Sequence, residues 1–302
     1  MTTPGQIGDI RGRTVLVTGA SSGIGLSACE ALAQRGARVI MVGRNAEKTE
    51  AAAGTVRAGA PDATVEVELC DLSSLEAIRD LGRRLRERLD HLDVLLNNAG
   101  AMHSTRKTSV DGFEMTYAVN HLGYFLPTLE LLPLLQAAPA ARIVNVASDA
   151  HRAGTIDFDD LQMDRRGYSG WPAYGTSKLM NILFTRELAR RLEGTAITAN
   201  SLHPGVVRTG FGRNDQGWLN TVWAMMSVFL ISPESGAETS VFLCADPAMD
   251  GVTGRYFAKC REKTPRRKAM RDADAKRLWE VSAAQVGVSA EGLPGLLDGT
   301  AG

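Results

Sequence analysis

The sequence predicts a doubly wound α/β fold, a parallel sheet with helices on both faces, folded as a single domain. Short apolar runs rich in β-branched residues alternate with amphipathic stretches from Thr14 onward, as strands buried on both faces alternate with crossover helices. The 302 residues, 44% of them hydrophobic, suffice for one large core. No linker rich in Pro, Gly or Ser and no repeat of fixed period divides them.

In chain order, the strand TVLVT leads to a helix from about Gly23 to Arg35, and RVIMV to a helix over AEKTEAAAGTVRA. TVEVELC precedes SLEAIRDLGRRLRERL, LDVLLNN precedes GYFLPTLELLPLLQ, and ARIVNVAS precedes KLMNILFTRELARRL. TAITANSLHP is followed by SPESGAETSVFLCA, and GRYFA is the last strand. Two segments break the rhythm, 151–170 and 206–232. Both must leave the carboxyl ends of strands, where open α/β sheets bind ligands, and both are expected to wall a substrate site. The core is expected over about 11–286 and a flexible Gly/Ala-rich tail over about 288–302.

With 34 basic and 34 acidic residues the net charge is zero, so nothing draws the whole chain to nucleic acid. Cys29, Cys70, Cys244 and Cys260 form no C-x-x-C pair and read as buried reduced thiols. The start, MTTPGQIGDI, lacks the basic and apolar parts of a signal peptide. The longest apolar run, WLNTVWAMMSVFLI, is too short to span a bilayer. A cytoplasmic location is expected. His103, His121 and His151 show no metal-ligand spacing, so they are read as loop or core residues, with no metal site.

TVLVTGASSGIG follows a strand and opens a helix. Gly19, Gly23 and Gly25 therefore stand where backbone approaches a pyrophosphate and a helix N-terminus meets its charge, which predicts a dinucleotide site. The second strand ends VGRN, without the acidic residue that would receive a ribose 2′-hydroxyl. Gly43 is expected to leave room, Arg44 to offer its planar fork to a 2′-phosphate, and Asn45 to add a neutral donor, favouring NADP(H) over NAD(H).

With TGASSGIG, NNAG, NHLG, Ser148, YGTSK and HPGVVRT in this order, the sequence closely resembles the short-chain dehydrogenase/reductase family and its Rossmann-type fold. RVIMVGR, DGFEMTYAVNHLGYF, IDFDDL, RYFAKCREK and RLWEVS bring it nearest to the branch of retinol dehydrogenases, WW-domain oxidoreductase and protochlorophyllide reductase. The match runs from about Arg11 to Val286. Two departures stand out: the N-terminal anchor of many relatives is not seen, and Leu26 occupies a position that is often basic. The resemblance implies that Ser21, Ser22 and Ile24 belong to the phosphate turn and that Asp71 and Leu72 meet the adenine. It places Asn98, Ala99 and Gly100 beside the adenosine ribose, and Pro204, Gly205, Val207 and Thr209 around the carboxamide.

Tyr174 and Lys178, four residues apart, share a helix face. A free phenol near pKa 10 is a poor proton donor or acceptor at neutral pH, and a neighbouring ammonium is expected to lower it. Lowering it by about three units needs roughly 4 kcal/mol. Hydride transfer to a carbonyl needs a proton on the developing alkoxide, so Tyr174 is expected as general acid or base, with Ser148 holding the substrate oxygen. By resemblance Lys178 also binds the nicotinamide ribose, and Asn120 positions a water that links Lys178 to solvent. Ser148, Trp171 and Tyr174 are the expected substrate contacts.

The apolar segment 218–231 reads as a core helix, a lid over a lipophilic alcohol or carbonyl substrate, or a peripheral membrane contact. The leading function is an NADP(H)-dependent oxidoreductase, either alcohol dehydrogenase or carbonyl reductase. The runner-up is a catalytically silent NADP(H)-binding redox sensor or scaffold. The apolar helices GYFLPTLELLPLLQ and KLMNILFTRELARRL suit either a homodimer or simple cover for the sheet.

Overall fold

The computed structural model describes residue 8, residues 10–165, 167–205 and 232–291, and residue 293. The first half runs β1 (Thr14–Thr18), α1 (Gly23–Ala33), β2 (Arg38–Gly43), α2 (Ala46–Gly59), β3 (Val65–Leu69), α3 (Leu75–Arg88) and β4 (Val94–Asn97). Next come α4 (Met115–Tyr117), a π-helical turn (Ala118–Leu122), α5 (Gly123–Glu130), α6 (Leu132–Ala137), β5 (Ala141–Val146) and a 3-10 turn (Asp149–Arg152). The remainder is α7 (Gly170–Arg191), β6 (Ile197–His203), α8 (Pro233–Ala245), β7 (Tyr256–Ala258), β8 (Arg261–Glu262) and α9 (Asp272–Gln285).

The strands form one sheet in the order β3-β2-β1-β4-β5-β6-β7-β8. All neighbours are parallel except β7 and β8. Alternate side chains of each strand enter opposite cores, the period of two that a pleated sheet imposes. Leu16, Ile40, Leu95 and Ile143 pack under α3, α5, α7 and α9. Val15, Met41, Leu96 and Val144 pack under α1, α2 and α8. The order reverses between β1 and β4, which opens a crevice at their carboxyl ends.

Three local expectations change. The helix expected over GYFLPTLELLPLLQ breaks at Leu131, because Pro133 lacks an N–H and is accommodated only in the first turn of a new helix. The helix expected over KLMNILFTRELARRL starts earlier, at Gly170, and carries Tyr174 and Lys178 on one face as their spacing implied. The last strand turns back into β8, whose two residues are too few for an alternating run to announce. The apolar faces of α5 and α7 are spent within the chain: Trp279 of α9 lies 4.9 Å from Phe125 and 6.0 Å from Phe184, ring to ring.

Cys29, Cys70 and Cys244 are buried free thiols, while Cys260 is only partly buried. Gly43 does not serve to leave room for a ligand. A Cβ there would lie 2.1 Å from Thr49 Oγ1, and Thr49 is fully buried with that hydroxyl donating to Asn45 O at 2.7 Å. The missing side chain is thus filled by the first turn of α2. Gly43→Ala should therefore cost about 1–3 kcal/mol, on the order of 2–10 °C in Tm. In a thermal-denaturation cycle Thr49→Ala should recover most of that loss; strict additivity of the two changes would contradict the contact.

Candidate active site

At the crevice the ends of β1 and β4 are tied together. Thr18 Oγ1 accepts from Asn98 N at 2.9 Å and Ala99 N at 3.1 Å, and Asn98 Nδ2 donates to Thr18 O at 2.9 Å. Neither β1 Thr18 nor this bracing role of Asn98 was visible in the motif. A Cβ on Gly19 would lie 2.7 Å from Ala99 Cα, and one on Gly25 would lie 2.3 Å from Gly19 O. Gly19 also holds a φ of 65°, which favours glycine.

The helix that follows begins bare. Ser22 makes no side-chain cap and the first turn of α1 contains no acidic residue, so its N–H groups are left for an anion. This donor set, behind a turn with no room for side chains, fits a dinucleotide pyrophosphate. Ser21 and Ile24 are partly buried at the same turn. Arg44 is exposed and makes no hydrogen bond or ion pair with the described residues. Asn45 uses its Oδ1 to cap α2, accepting from Lys48 N at 2.8 Å.

Asp71 is exposed, and its Oδ1 accepts from Ser73 N at 3.0 Å and Ser73 Oγ at 2.8 Å. Leu72 and Ala99 are buried and Gly100 is exposed. Pro204 and Gly205 leave β6, Gly205 with a φ of 96°. Val207, Thr209 and the apolar segment 206–231 lie outside the described residues, as does the tail from 294.

Ser148, two residues past the end of β5, is extended and caps the 3-10 turn, its Oγ accepting from Ala150 N at 3.2 Å. That turn sits against α7 through glycines. A Cβ on Gly154 would lie 2.3 Å from Gly175 O, and one on Gly175 would lie 2.8 Å from Ala150 O. The close approach brings Ser148 to Tyr174, and their side chains hydrogen-bond. Trp171, one turn earlier, is 53% exposed with its ring 6.1 Å from that of Tyr174.

Lys178 is buried behind Tyr174, its Nζ 5.7 Å from the Tyr174 ring centroid and 5.4 Å from that of Tyr124. The ammonium donates to Val146 O at 2.9 Å. Burial lowers Lys178 to about 7. Burial also pushes Tyr174 up to about 12, opposed by the hydrogen bond from Ser148. The expectation of a phenol acidified by its lysine is therefore corrected for the chain alone. Desolvation outweighs a cation that is itself partly discharged and turned to a carbonyl.

Asn120 makes structural contacts beyond the role expected of it. Its fully buried side chain is committed: Oδ1 accepts from Ala101 N at 2.7 Å, and Nδ2 donates to Ala101 O at 2.9 Å and Ser177 Oγ at 3.0 Å. Ser177 in turn donates to Tyr174 O at 2.8 Å. The amide thus ties the loop after β4 to the backbone of α7, with both of its N–H donors engaged and one lone pair of Oδ1 left over. His121 and His151 are buried core residues and His103 is partly buried. Among the described residues no cluster of three His, Cys, Asp or Glu could hold a metal, and no helix is long and apolar enough to cross a membrane.

The Lys178 shift has a stability consequence. Its folded value, about 7, lies below the ordinary 10.5. Below about pH 7 both states carry the proton and the burial penalty is complete; between about pH 7 and 10 the unfolded chain holds the extra proton, so stability rises with pH. The Tm of the wild type should gain on that of Lys178→Met from about pH 7 to pH 9.5. A wild-type Tm that stays level with, or falls relative to, that of Lys178→Met over this range would contradict the burial of this charge.

Comparisons with known proteins agree with this geometry. A family model described as short chain dehydrogenase matches residues 13–220. The chain is 44% identical over 301 residues to retinol dehydrogenase 14 of Mus musculus, covering 94% of this chain and 89% of that protein. It is 43% identical over 286 residues to retinol dehydrogenase 13 of Homo sapiens, covering 93% and 86%. A crystal structure of an uncharacterised protein from Mycobacterium paratuberculosis aligns with a TM-score of 0.76 at 33% identity, over 97% of this chain and 99% of that one. The RhlG/NADP active-site complex of Pseudomonas aeruginosa aligns with a TM-score of 0.66 at 30% identity, over 82% and 95%. By sequence, fold and the grouping of its site, the chain belongs to the short-chain dehydrogenase/reductase family of oxidoreductases, near the retinol dehydrogenases.

Proposed function

We propose that the chain is an NADP(H)-dependent oxidoreductase of lipophilic alcohols and carbonyls, with Tyr174 as general acid in reduction and general base in oxidation. The observation that carries this reading is the meeting of Ser148, Tyr174 and Lys178 beside a glycine turn shaped for a pyrophosphate. When bound, the reduced nicotinamide supplies the hydride. Tyr174, raised to about 12, holds its proton at neutral pH and can give it to the substrate oxygen as charge develops there. Ser148 Oγ, already accepting from Ala150 N, would turn its proton from Tyr174 to donate to that same oxygen. Lys178 would hold the nicotinamide ribose and, fully charged there, favour the phenolate left on Tyr174.

Gly19, Ser21, Ser22, Gly23, Ile24 and Gly25 would hold the pyrophosphate. Asp71 and Leu72 would meet the adenine, and Asn98, Ala99 and Gly100 the adenosine ribose. Pro204 and Gly205, with Val207 and Thr209, would meet the carboxamide. Preference for NADP(H) is supported by an exposed Arg44 without a partner among the described residues and by the lack of a carboxylate at the end of β2. A lipophilic substrate is supported by the retinol dehydrogenase names of the relatives and by the apolar run 218–231, proposed as the lid. The same reading keeps a cytoplasmic location.

NADPH consumption against aldehydes of rising chain length tests this reading. Catalytic efficiency, kcat/KM, should climb with chain length, and equal efficiency along the series would discard the lipophilic substrate. Tyr174→Phe should lower kcat by at least about 100-fold with NADPH affinity within about twofold. Near-normal turnover in that variant would remove Tyr174 from its role. NADPH binding without consumption of any substrate would favour a silent binding module.

A further inference from the structure

β4 ends at Asn97, level with Asn145 of β5. The carbonyl of Val146, one residue further, is met by side chains instead of a strand. Three donors converge on it: Lys178 Nζ at 2.9 Å, Tyr124 Oη at 3.3 Å and Asn181 Nδ2 at 3.3 Å. A carbonyl oxygen has two lone pairs, so three donors exceed what it can serve well. The two longer bonds belong to neutral groups with no exposed surface.

Lys178 has the opposite imbalance. An ammonium carries three N–H donors, and Val146 O is its one acceptor among the described residues. Its Nζ lies by the Tyr124 and Tyr174 rings, with no carboxylate paired to it among the described residues. Such a cation is held at its station by one hydrogen bond and two aromatic faces, and a better acceptor would draw it away. Its departure would strand a buried carbonyl unless other donors were already in place.

We infer that Tyr124 is a positioning residue for Lys178: its hydroxyl, with the Asn181 amide, keeps the Val146 carbonyl satisfied when the ammonium turns from it to the nicotinamide ribose, an assignment that rests on the proposed function. Tyr124 touches neither substrate nor cofactor in this role. It lowers the cost of moving Lys178 between two stations, while its ring stays beside the ammonium in both.

Tyr124→Phe keeps the ring and removes the hydroxyl, so affinities rather than turnover test the inference. Dissociation constants would be measured by calorimetry for NADPH and for adenosine 2′,5′-bisphosphate, which lacks the nicotinamide riboside. NADPH should bind about 5-fold more weakly to the variant, the worth of about one hydrogen bond, with adenosine 2′,5′-bisphosphate unchanged. Equal NADPH affinity in both proteins would overturn the inference while leaving the proposed function standing. Equal weakening of both ligands would also overturn it, since that marks a general distortion. A wild type that binds neither ligand would remove the cofactor reading and this inference together. Should Tyr124→Phe fail to fold, Asn181→Leu removes the other reserve donor and carries the same expectations.

Discussion

One buried cation governs the arrangement of this site. Lys178, 2% exposed, lies by two tyrosine rings at the carboxyl end of β5 and is held by a carbonyl without a strand partner. Burying an ammonium without a carboxylate is expensive, and the chain meets that cost by letting the group discharge near neutral pH. The same dry surroundings keep the neighbouring phenol protonated. An acid and a cation are thus stored side by side, each displaced from its ordinary state in the direction that relieves burial.

Close backbone contacts make that storage possible. Gly154 against Gly175 O and Gly175 against Ala150 O let the turn after β5 lie on α7, which sets Ser148 beside Tyr174. Gly25 against Gly19 O does the same for the first turn of α1 at the nucleotide crevice. Between these two places runs Asn120, which fixes the loop after β4 to α7 through Ala101 and Ser177. Crevice and Tyr174 therefore share one frame, built where the strand order reverses.

Much of this was legible in the sequence. Strands buried on both faces read as apolar runs, and the glycine spacing of TGASSGIG is dictated by backbone approach, so the fold and the close glycine turn before α1 could be placed from residue types alone. What stayed hidden depends on groups that leave no letter. Val146 matters through its carbonyl, which any residue would carry. Tyr124 and Thr18 do not stand out in the sequence because their roles depend on partners 22 and about 80 positions away in the chain. Gly43 read as ligand space because Thr49, which fills it, is six positions on and points back only once α2 has formed. Residue spacing showed that Tyr174 and Lys178 meet; it could not show that desolvation would outweigh their attraction.

The state of Lys178 is the most direct point of test. Lysine side chains labelled with ¹³C and ¹⁵N can be titrated by NMR in the nucleotide-free protein, and the Lys178 signal assigned by its loss in Lys178→Met. A midpoint near 7 is expected, with the signal moving as Tyr174 remains protonated throughout. A midpoint near the ordinary 10.5 would mean that the ammonium is solvated, and the account of a buried cation beside an un-ionised phenol would fail.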